Sequence, residues 1–282
     1  MTKRLLVAND LPGIGKVALA ASLPILAACQ IETAILPTVL LSSHTGGFPA
    51  VAVADMAWLV KDYLTQWQQL ELTLDGLLIG YCRSAELLEQ LQVYAQHENV
   101  PIILDPVLGD KGKLYTGFDQ DYVASMRQVA RQSTILLPNL TEAALLTDSA
   151  YLGEDYGRDE IEHLLRKLAD FGCQHVILTG VSFDESEIGL AYYDVRQDKI
   201  SYHMTRQLPY HFFGTGDIVA ILVAAIVVEN LAFETALPEV LDFLEASLVS
   251  TSQLARDVKY GVYFEPHLAK LSQQFEQLRN KG

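Results

Sequence analysis

Apolar residues in this chain cluster in short unbroken runs separated by longer amphipathic stretches. The runs at residues 3–8, 34–40, 76–80, 100–104, 134–137 and 175–178 read as strands buried on both faces. Between them, helical periodicity predicts helices over 16–29, 53–70, 84–97, 119–131 and 158–171. Ser84 is placed to cap the third of these, and a further helix opens at residues 138–142. Residues 189–194 and 199–205 instead alternate apolar with polar positions around Arg196-Gln197-Asp198, the pattern of an antiparallel hairpin. Helices over 214–228, 235–251 and 265–278 complete the chain. Short apolar strands alternating with helices predict an α/β fold: a mostly parallel central sheet with helices on both faces and the hairpin as an addition. No repeat, low-complexity segment or long linker interrupts it, so residues 1–282 are expected to form one domain.

One stretch carries more than packing information. Phe213-Gly214-Thr215-Gly216-Asp217 runs directly into the apolar segment Ile218–Val228, which is too short to span a bilayer and reads as a buried helix. The first N–H groups of a helix lack intrahelical partners and, with the helix dipole, favour an anion. Gly214 and Gly216 leave room for a ligand to approach that backbone. An acid at an anion-binding helix start is costly to leave idle. The arrangement makes sense if Asp217 takes a proton from a hydroxyl while the amides hold the phosphoryl group being attacked. A plain glycine turn with an Asp in the helix first turn is the simpler alternative.

Composition narrows the classes. At 50% hydrophobic residues the chain can bury a large core, and its formal charge of −15 argues against nucleic acid or an anionic membrane as partner. The apolar run after residues 1–4 is broken at Asn9, Asp10 and Pro12, so neither a signal peptide nor a membrane span is expected, and a cytoplasmic protein is. Cys29, Cys82 and Cys173 are far apart and read as buried thiols. Gly13 and Gly15 follow the first strand. With no third glycine and no lysine followed by Ser or Thr, that turn is a poor nucleotide motif.

In a parallel sheet, ligands sit beyond the carboxyl ends of the strands. Asp10, Thr45, Tyr81, Asp105, Asn139 with Glu142, Thr179 and Asp217 are all expected there. Together with Ser43-His44-Thr45, Gly80-Tyr81, Asp105-Pro-Val-Leu-Gly-Asp110, Pro138-Asn-Leu-Thr-Glu142 and Gly214-Thr-Gly-Asp217, they make the chain resemble the ribokinase-like superfamily and, within it, the pyridoxal kinases. The resemblance covers nearly the whole chain.

It implies an ATP-dependent kinase acting on the 5′-hydroxymethyl group of pyridoxal, pyridoxine or pyridoxamine, in vitamin B6 salvage. By the resemblance, Asp217 is the catalytic base and the amides of Gly214, Thr215 and Gly216 its anion hole. Glu142 and Asp105 hold Mg²⁺, and Asp105, Asn139, Glu142, Thr179, Arg206, Gln207, Leu208 and Pro209 line ATP together with Gly214 and Gly216. Residues 108–118 correspond to a lid over the nucleotide, and Thr45, Gly46 and Tyr81 to the vitamin pocket. Asp10 stands where these kinases usually carry a Ser against the ring, so it is expected to favour a protonated partner. A monovalent cation such as K⁺ and a homodimer also follow from the resemblance. Structural roles stay open for several residues: Glu142 as a helix-start acid, His44 as a hydrogen-bonder, Tyr81 in packing, and Lys111 and Lys113 on a solvated loop. Asp10 could instead cap the first helix. The competing functions are a hydroxymethylpyrimidine kinase of thiamine synthesis, in which Cys often replaces the Asp at 217, a sugar or nucleoside kinase, and a non-catalytic binder of pyridoxal phosphate.

Overall fold

A computed structural model describes residues 2–280. In chain order its elements are β1 (Arg4–Pro12), α1 (Ala18–Ala28), β2 (Glu32–Leu41), β3 (Val53–Asp55), α2 (Ala57–Gln69), β4 (Gly76–Ile79), α3 (Ala85–Glu98) and β5 (Ile102–Leu104). Then come β6 (Gly109–Asp110), β7 (Lys113–Leu114), α4 (Gln120–Ala130), β8 (Ile135–Leu136), α5 (Leu140–Thr147), α6 (Arg158–Ala169) and β9 (His175–Asp184). β10 (Glu187–Asp194), β11 (Lys199–Arg206), α7 (Thr215–Val228), α8 (Phe233–Ser252) and α9 (Leu268–Arg279) follow. The chain divides into two compact units, one made of residues up to 82 together with those from 208 onward, the other of residues 83–207.

In the first unit the strand order is β4-β1-β2-β3, with β1 parallel to both neighbours and β3 antiparallel at the edge. Leu5, Leu6, Val7 and Ala8 of β1 have no solvent exposure, as a strand covered on both faces requires. α7 packs against α1, α8, β1 and β4, and of its residues from Ile218 to Val228 only Val227 is not fully buried. A helix apolar all round belongs in such a place, as its sequence predicts. In the second unit β5, β8 and β9 run parallel and β9, β10 and β11 antiparallel, with the amphipathic α6 laying Ile161, Leu164, Leu165 and Leu168 against β9. The α/β class with mostly parallel pairing and an antiparallel addition is the one expected. Among the described residues, no helix is long and apolar enough to cross a membrane.

The structure corrects three local expectations. β1 does not stop at residue 8 but runs through Asn9 and Asp10 to Pro12, with a register shift against β2 between Asn9 and Leu11. Residues 53–55 are an edge strand, not the first turn of α2, because Leu41 and Leu40 pair with Val53 and Ala54. β9 likewise continues past Thr179-Gly180 to Asp184. Leu190 faces Thr179 while Gly189 faces Val181, which leaves Gly180, at φ +71°, as a bulge within the strand and not its end. The hairpin is thereby a three-stranded antiparallel meander.

Candidate active site

In the first unit the site is built around the start of α7. Gly214 has φ +88°, and a Cβ there would meet the Lys16 carbonyl oxygen at 2.7 Å, so only glycine lets the chain turn into the helix at this point. Ile218 is the first residue whose N–H finds a helical carbonyl, Gly214 O at 3.1 Å. The N–H groups of Thr215, Gly216 and Asp217 therefore have no intrahelical partner and form the positive end of the helix.

Asp217 is partly exposed, yet enough protein surrounds its carboxyl to desolvate it. That burial raises its pKa, against hydrogen bonds from the Ala18 backbone N–H and the Asn9 side chain, which favour the ionised form. Asp10, 7% exposed in β1, is pushed up to about 7, first by burial and then by the negative charge of Asp217. It does not cap α1, whose N-cap residue is Val17 with no side-chain cap. Asn9 links these groups, since its Oδ1 accepts the N–H of Asp10 at 2.9 Å and of Tyr81 at 2.8 Å. The Tyr81 carbonyl in turn accepts the Thr38 hydroxyl at 2.6 Å, so the backbone of Tyr81 is held on both sides.

The loop after β2 is organised by His44. Its Nδ1 accepts the Gly46 N–H at 3.1 Å, its Nε2 lies 2.5 Å from the Lys259 carbonyl, and its ring packs against Phe48 and Phe213. Buried and committed at both nitrogens, His44 is a structural hydrogen-bonder that shapes the loop presenting the exposed Thr45 and the half-buried Gly46. Leu208 and Pro209 lie on the segment leading towards α7, where the Leu208 carbonyl accepts the Tyr210 N–H at 2.8 Å.

In the second unit, α5 starts with a capping box. Asn139 Oδ1 accepts the N–H groups of Thr141 and Glu142, at 2.8 and 3.0 Å, while Glu142 Oε2 accepts the Asn139 N–H at 2.9 Å. The same pair reaches the segment before β7. Glu142 Oε1 accepts the Leu108 N–H at 3.2 Å, Asn139 Nδ2 donates to the Gly109 carbonyl at 3.0 Å, and Thr141 Oγ1 accepts the Gly112 N–H at 2.9 Å. Glu142 is 3% exposed and pushed up to about 8 by burial, against its backbone hydrogen bonds. Thr179 bridges to Asn139, with its N–H on the Pro138 carbonyl at 2.9 Å. Asp105 follows β5 directly and is partly exposed.

Of the expected residues, the structure thus brings Asp10, Tyr81 and Asp217 together in one unit and Asn139, Glu142 and Thr179 in the other. Arg206 is not beside Thr179. Thr179 faces Leu190 and Leu190 faces His203, so Arg206 lies two strands over and three residues on, about 14 Å away by sheet spacing. Gln207 follows it, N–H bonded to Ser186. The sequence reading takes Asn9 only as the neighbour of Asp10, passes over Ala18, and places Leu108 in the lid without seeing its N–H as a donor to Glu142. A backbone donor leaves no trace in side-chain identity, but an Asn at the end of an apolar run was a readable signal.

Comparison with known proteins places the chain in a family. The family model described as phosphomethylpyrimidine kinase matches residues 19–261. A solved pyridoxal kinase from Lactobacillus plantarum is 35% identical and superposes with a TM-score of 0.90, covering 98% of this chain and 99% of its own. A Bacteroides thetaiotaomicron protein of the phosphomethylpyrimidine kinase type, solved with pyridoxal, is 29% identical with a TM-score of 0.90 over 96% of each chain. Pyridoxal kinase of Arabidopsis thaliana is 28% identical over 191 residues, which make up 63% of this chain and 56% of that one. The chain spans about half the length of the curated relatives it matches. The matched span takes in α1 from Leu19, both capping-box residues and the Gly214–Asp217 turn, and the chain belongs to the phosphomethylpyrimidine kinase family.

Proposed function

We propose that the protein is an ATP-dependent kinase of B6 vitamers, transferring a phosphoryl group to the 5′-hydroxymethyl of pyridoxal, pyridoxine or pyridoxamine. The observation that carries this reading is Asp217 in the first turn of a buried helix, beside three N–H groups without helical partners. In the proposed reaction the hydroxyl oxygen forms a bond to the γ-phosphorus while its proton passes to the Asp217 carboxylate. The bond from that phosphorus to the β–γ bridging oxygen breaks, and ADP leaves. Phosphoryl transfer is loose, so the proton can leave late, and the N–H groups of Gly214, Thr215 and Gly216 stabilise the transferred charge.

Asp10, Thr45, Gly46 and Tyr81 are the proposed vitamin contacts. Asp105, Asn139, Glu142, Thr179, Arg206, Gln207, Leu208 and Pro209 are those for the nucleotide. Both Glu142 oxygens already accept backbone N–H groups, and among the described residues no three His, Cys, Asp or Glu side chains cluster to cage a metal. The residues fit Mg²⁺ held through water and by phosphate oxygens, with Glu142 and Asp105 as its protein anchors. Bound there, the ion would neutralise phosphate charge. By the same resemblance the enzyme is read as a homodimer that uses a monovalent cation such as K⁺, and by its sequence as cytoplasmic. The pyridoxal-bound Bacteroides relative and an Asp at position 217 favour B6 vitamers over hydroxymethylpyrimidine.

The test is phosphorylation of the three vitamers and of hydroxymethylpyrimidine with labelled ATP. Turnover of the vitamers is expected to dominate, and Asp217→Asn should lower kcat by about 10²–10⁴-fold with ATP binding retained. Preference for hydroxymethylpyrimidine, or near-normal turnover in the variant, would overturn the reading.

A further inference from the structure

We propose that the segment 256–261 is a positioning strut for the anion hole: Gly261 sets the place of the Gly214 turn through the Lys16 carbonyl, which lies between the two glycines. The inference rests on the reading of that turn as the anion hole.

A single oxygen carries it. A Cβ at Gly214 would meet Lys16 O at 2.7 Å, and a Cβ at Gly261 would meet the same oxygen at 3.0 Å and the Lys16 nitrogen at 2.8 Å. Both glycines have positive φ, +88° and +80°. Three backbone segments thus touch with no side chain between them, an approach open only to residues without a Cβ. The Lys16 N–H reaches the Tyr260 carbonyl at 3.3 Å, and Lys16 forms an isolated parallel bridge with Gly261. Its side chain returns to the same region. Nζ pairs with Glu265 and lies 5.0 Å from the Tyr263 ring centroid and 5.4 Å from that of Phe264. Held at backbone and side chain, Lys16 passes a displacement at Gly261 on to Gly214.

The strut is braced, and it makes a second contact. Arg256 Nη2 donates to the Gly261 carbonyl at 2.9 Å, and Asp257 caps the 3₁₀ turn Val258–Tyr260 by accepting the Lys259 N–H at 3.0 Å. The Lys259 carbonyl accepts from Nε2 of His44, the tautomer required because Nδ1 accepts the Gly46 N–H. Gly15 lies against that ring, where a Cβ would be 2.3 Å from Cδ2. Gly13 packs on the Ser42 carbonyl and donates its N–H to Leu41 O at 2.8 Å. The glycines that make a poor nucleotide motif therefore serve this packing. The loop carrying Thr45 and Gly46 and the turn carrying the hole are both set against one segment that supplies none of the proposed ligand contacts.

An anion hole needs such a stop. Its donors act by standing in place before the charge develops, yet a turn built on Gly214 and Gly216 is the most permissive of backbones. Contact with a fixed carbonyl removes that freedom.

The test compares wild type, Gly261→Ala, Arg256→Met and a strain control, Gly172→Ala. Gly172 has φ +97° and no atom within 4 Å of a Cβ, so its substitution imposes left-handed strain alone, whereas Gly261→Ala also drives Lys16. Expected for Gly261→Ala is a kcat lower by about 10-fold or more, with a smaller change in vitamer KM. Arg256→Met, which removes only the brace, should act in the same direction by less, and Gly172→Ala should keep the wild-type kcat. Melting temperatures are recorded alongside. Equal losses of stability in the two alanine variants with wild-type kcat in both would overturn the proposal, leaving Gly261 a packing residue. Should Gly261→Ala fail to fold, Arg256→Met decides, since it places no atom against Lys16. An independent readout separates the strut from the kinase reading. The Gly216 amide resonance of ¹⁵N-glycine-labelled protein is assigned by its loss in Gly216→Ala, where the added Cβ meets nothing within 4 Å. It should move in Gly261→Ala and Arg256→Met and coincide with wild type in Gly172→Ala. A Gly216 resonance unmoved in all three would sink the strut, whether or not the protein phosphorylates a vitamer.

Discussion

On the proposed reading, Asp10 selects among the vitamers. A carboxylate desolvated in β1 and repelled by Asp217 is held near neutrality at a pKa of about 7, and an adjacent cation would draw it back to the ionised form. Among the vitamers, the ammonium of pyridoxamine or a protonated ring nitrogen supplies that charge, whereas a hydroxyl at position 10 would be indifferent. Asp10→Ser is therefore expected to lower kcat/KM for pyridoxamine relative to pyridoxine. A shift of about tenfold corresponds to the roughly 1.4 kcal/mol of a single modest charge interaction. Unchanged ratios among the three vitamers would show that Asp10 does not contact the ligand. Asp10 and Asp217 stand out in the sequence because each sets a charge at the edge of an apolar run. What Asn9 does is not legible there. Its role depends on Tyr81, which comes adjacent only when β4 pairs with β1.

At the level of elements, the α5 capping box is also the attachment of the β6–β7 hairpin. Glu142 joins the N–H groups of Asn139 and Leu108, so a helix-start acid and a candidate metal anchor are the same side chain. Lys111 and Gly112 at the hairpin tip both have positive φ, a tight turn that keeps the lysines outward and exposed. Glu142→Gln replaces one acceptor oxygen with an NH₂ facing an N–H donor. The change should cost about 1–3 kcal/mol of stability. It should also raise the Mg²⁺ concentration for half-maximal activity several-fold, with vitamin KM nearly unchanged. A lowered melting temperature with an unchanged Mg²⁺ titration would assign Glu142 to capping alone. Helices were readable from periodicity and caps: Ser84 accepts the Leu87 N–H at 3.2 Å, as its position implied. Strand ends were not, because Asn9-Asp10 and Thr179-Gly180 carry turn-like residues that the sheet absorbs through register shifts.

For the molecule as a whole, the alternation of apolar runs gave away the α/β class, but not that β1 would lie between β2 and β4 or that α7 would return to pack on α1, β1 and β4. Those pairings join residues far apart in sequence, and local periodicity holds no record of them. They also bury acids in a chain of net charge −15, which gives stability a definite pH dependence. Asp75, whose carboxyl accepts hydrogen bonds from Lys3 and the Arg4 N–H, is held below its ordinary value, so its contribution is present above about pH 4 and lost as pH falls through the depressed pKa. Asp10 has the opposite sign. Its pKa rises from 3.8 in the unfolded chain to about 7 on folding, so the folded state binds its proton more tightly. The resulting stability is complete below the unfolded value and disappears as pH rises through about 7. Each pH unit in that window removes about 1.4 kcal/mol from this group at most, and the raised Asp217 adds in the same direction. The ligand-free protein is therefore expected to melt highest at about pH 5 and several degrees lower at about pH 8. Asp10→Asn, which cannot ionise, should flatten that descending limb. Calorimetric melting of both proteins across this range is the measurement. Parallel slopes would mean that Asp10 is not desolvated in the folded protein, and the case for it as a cation-seeking group would fall with that result.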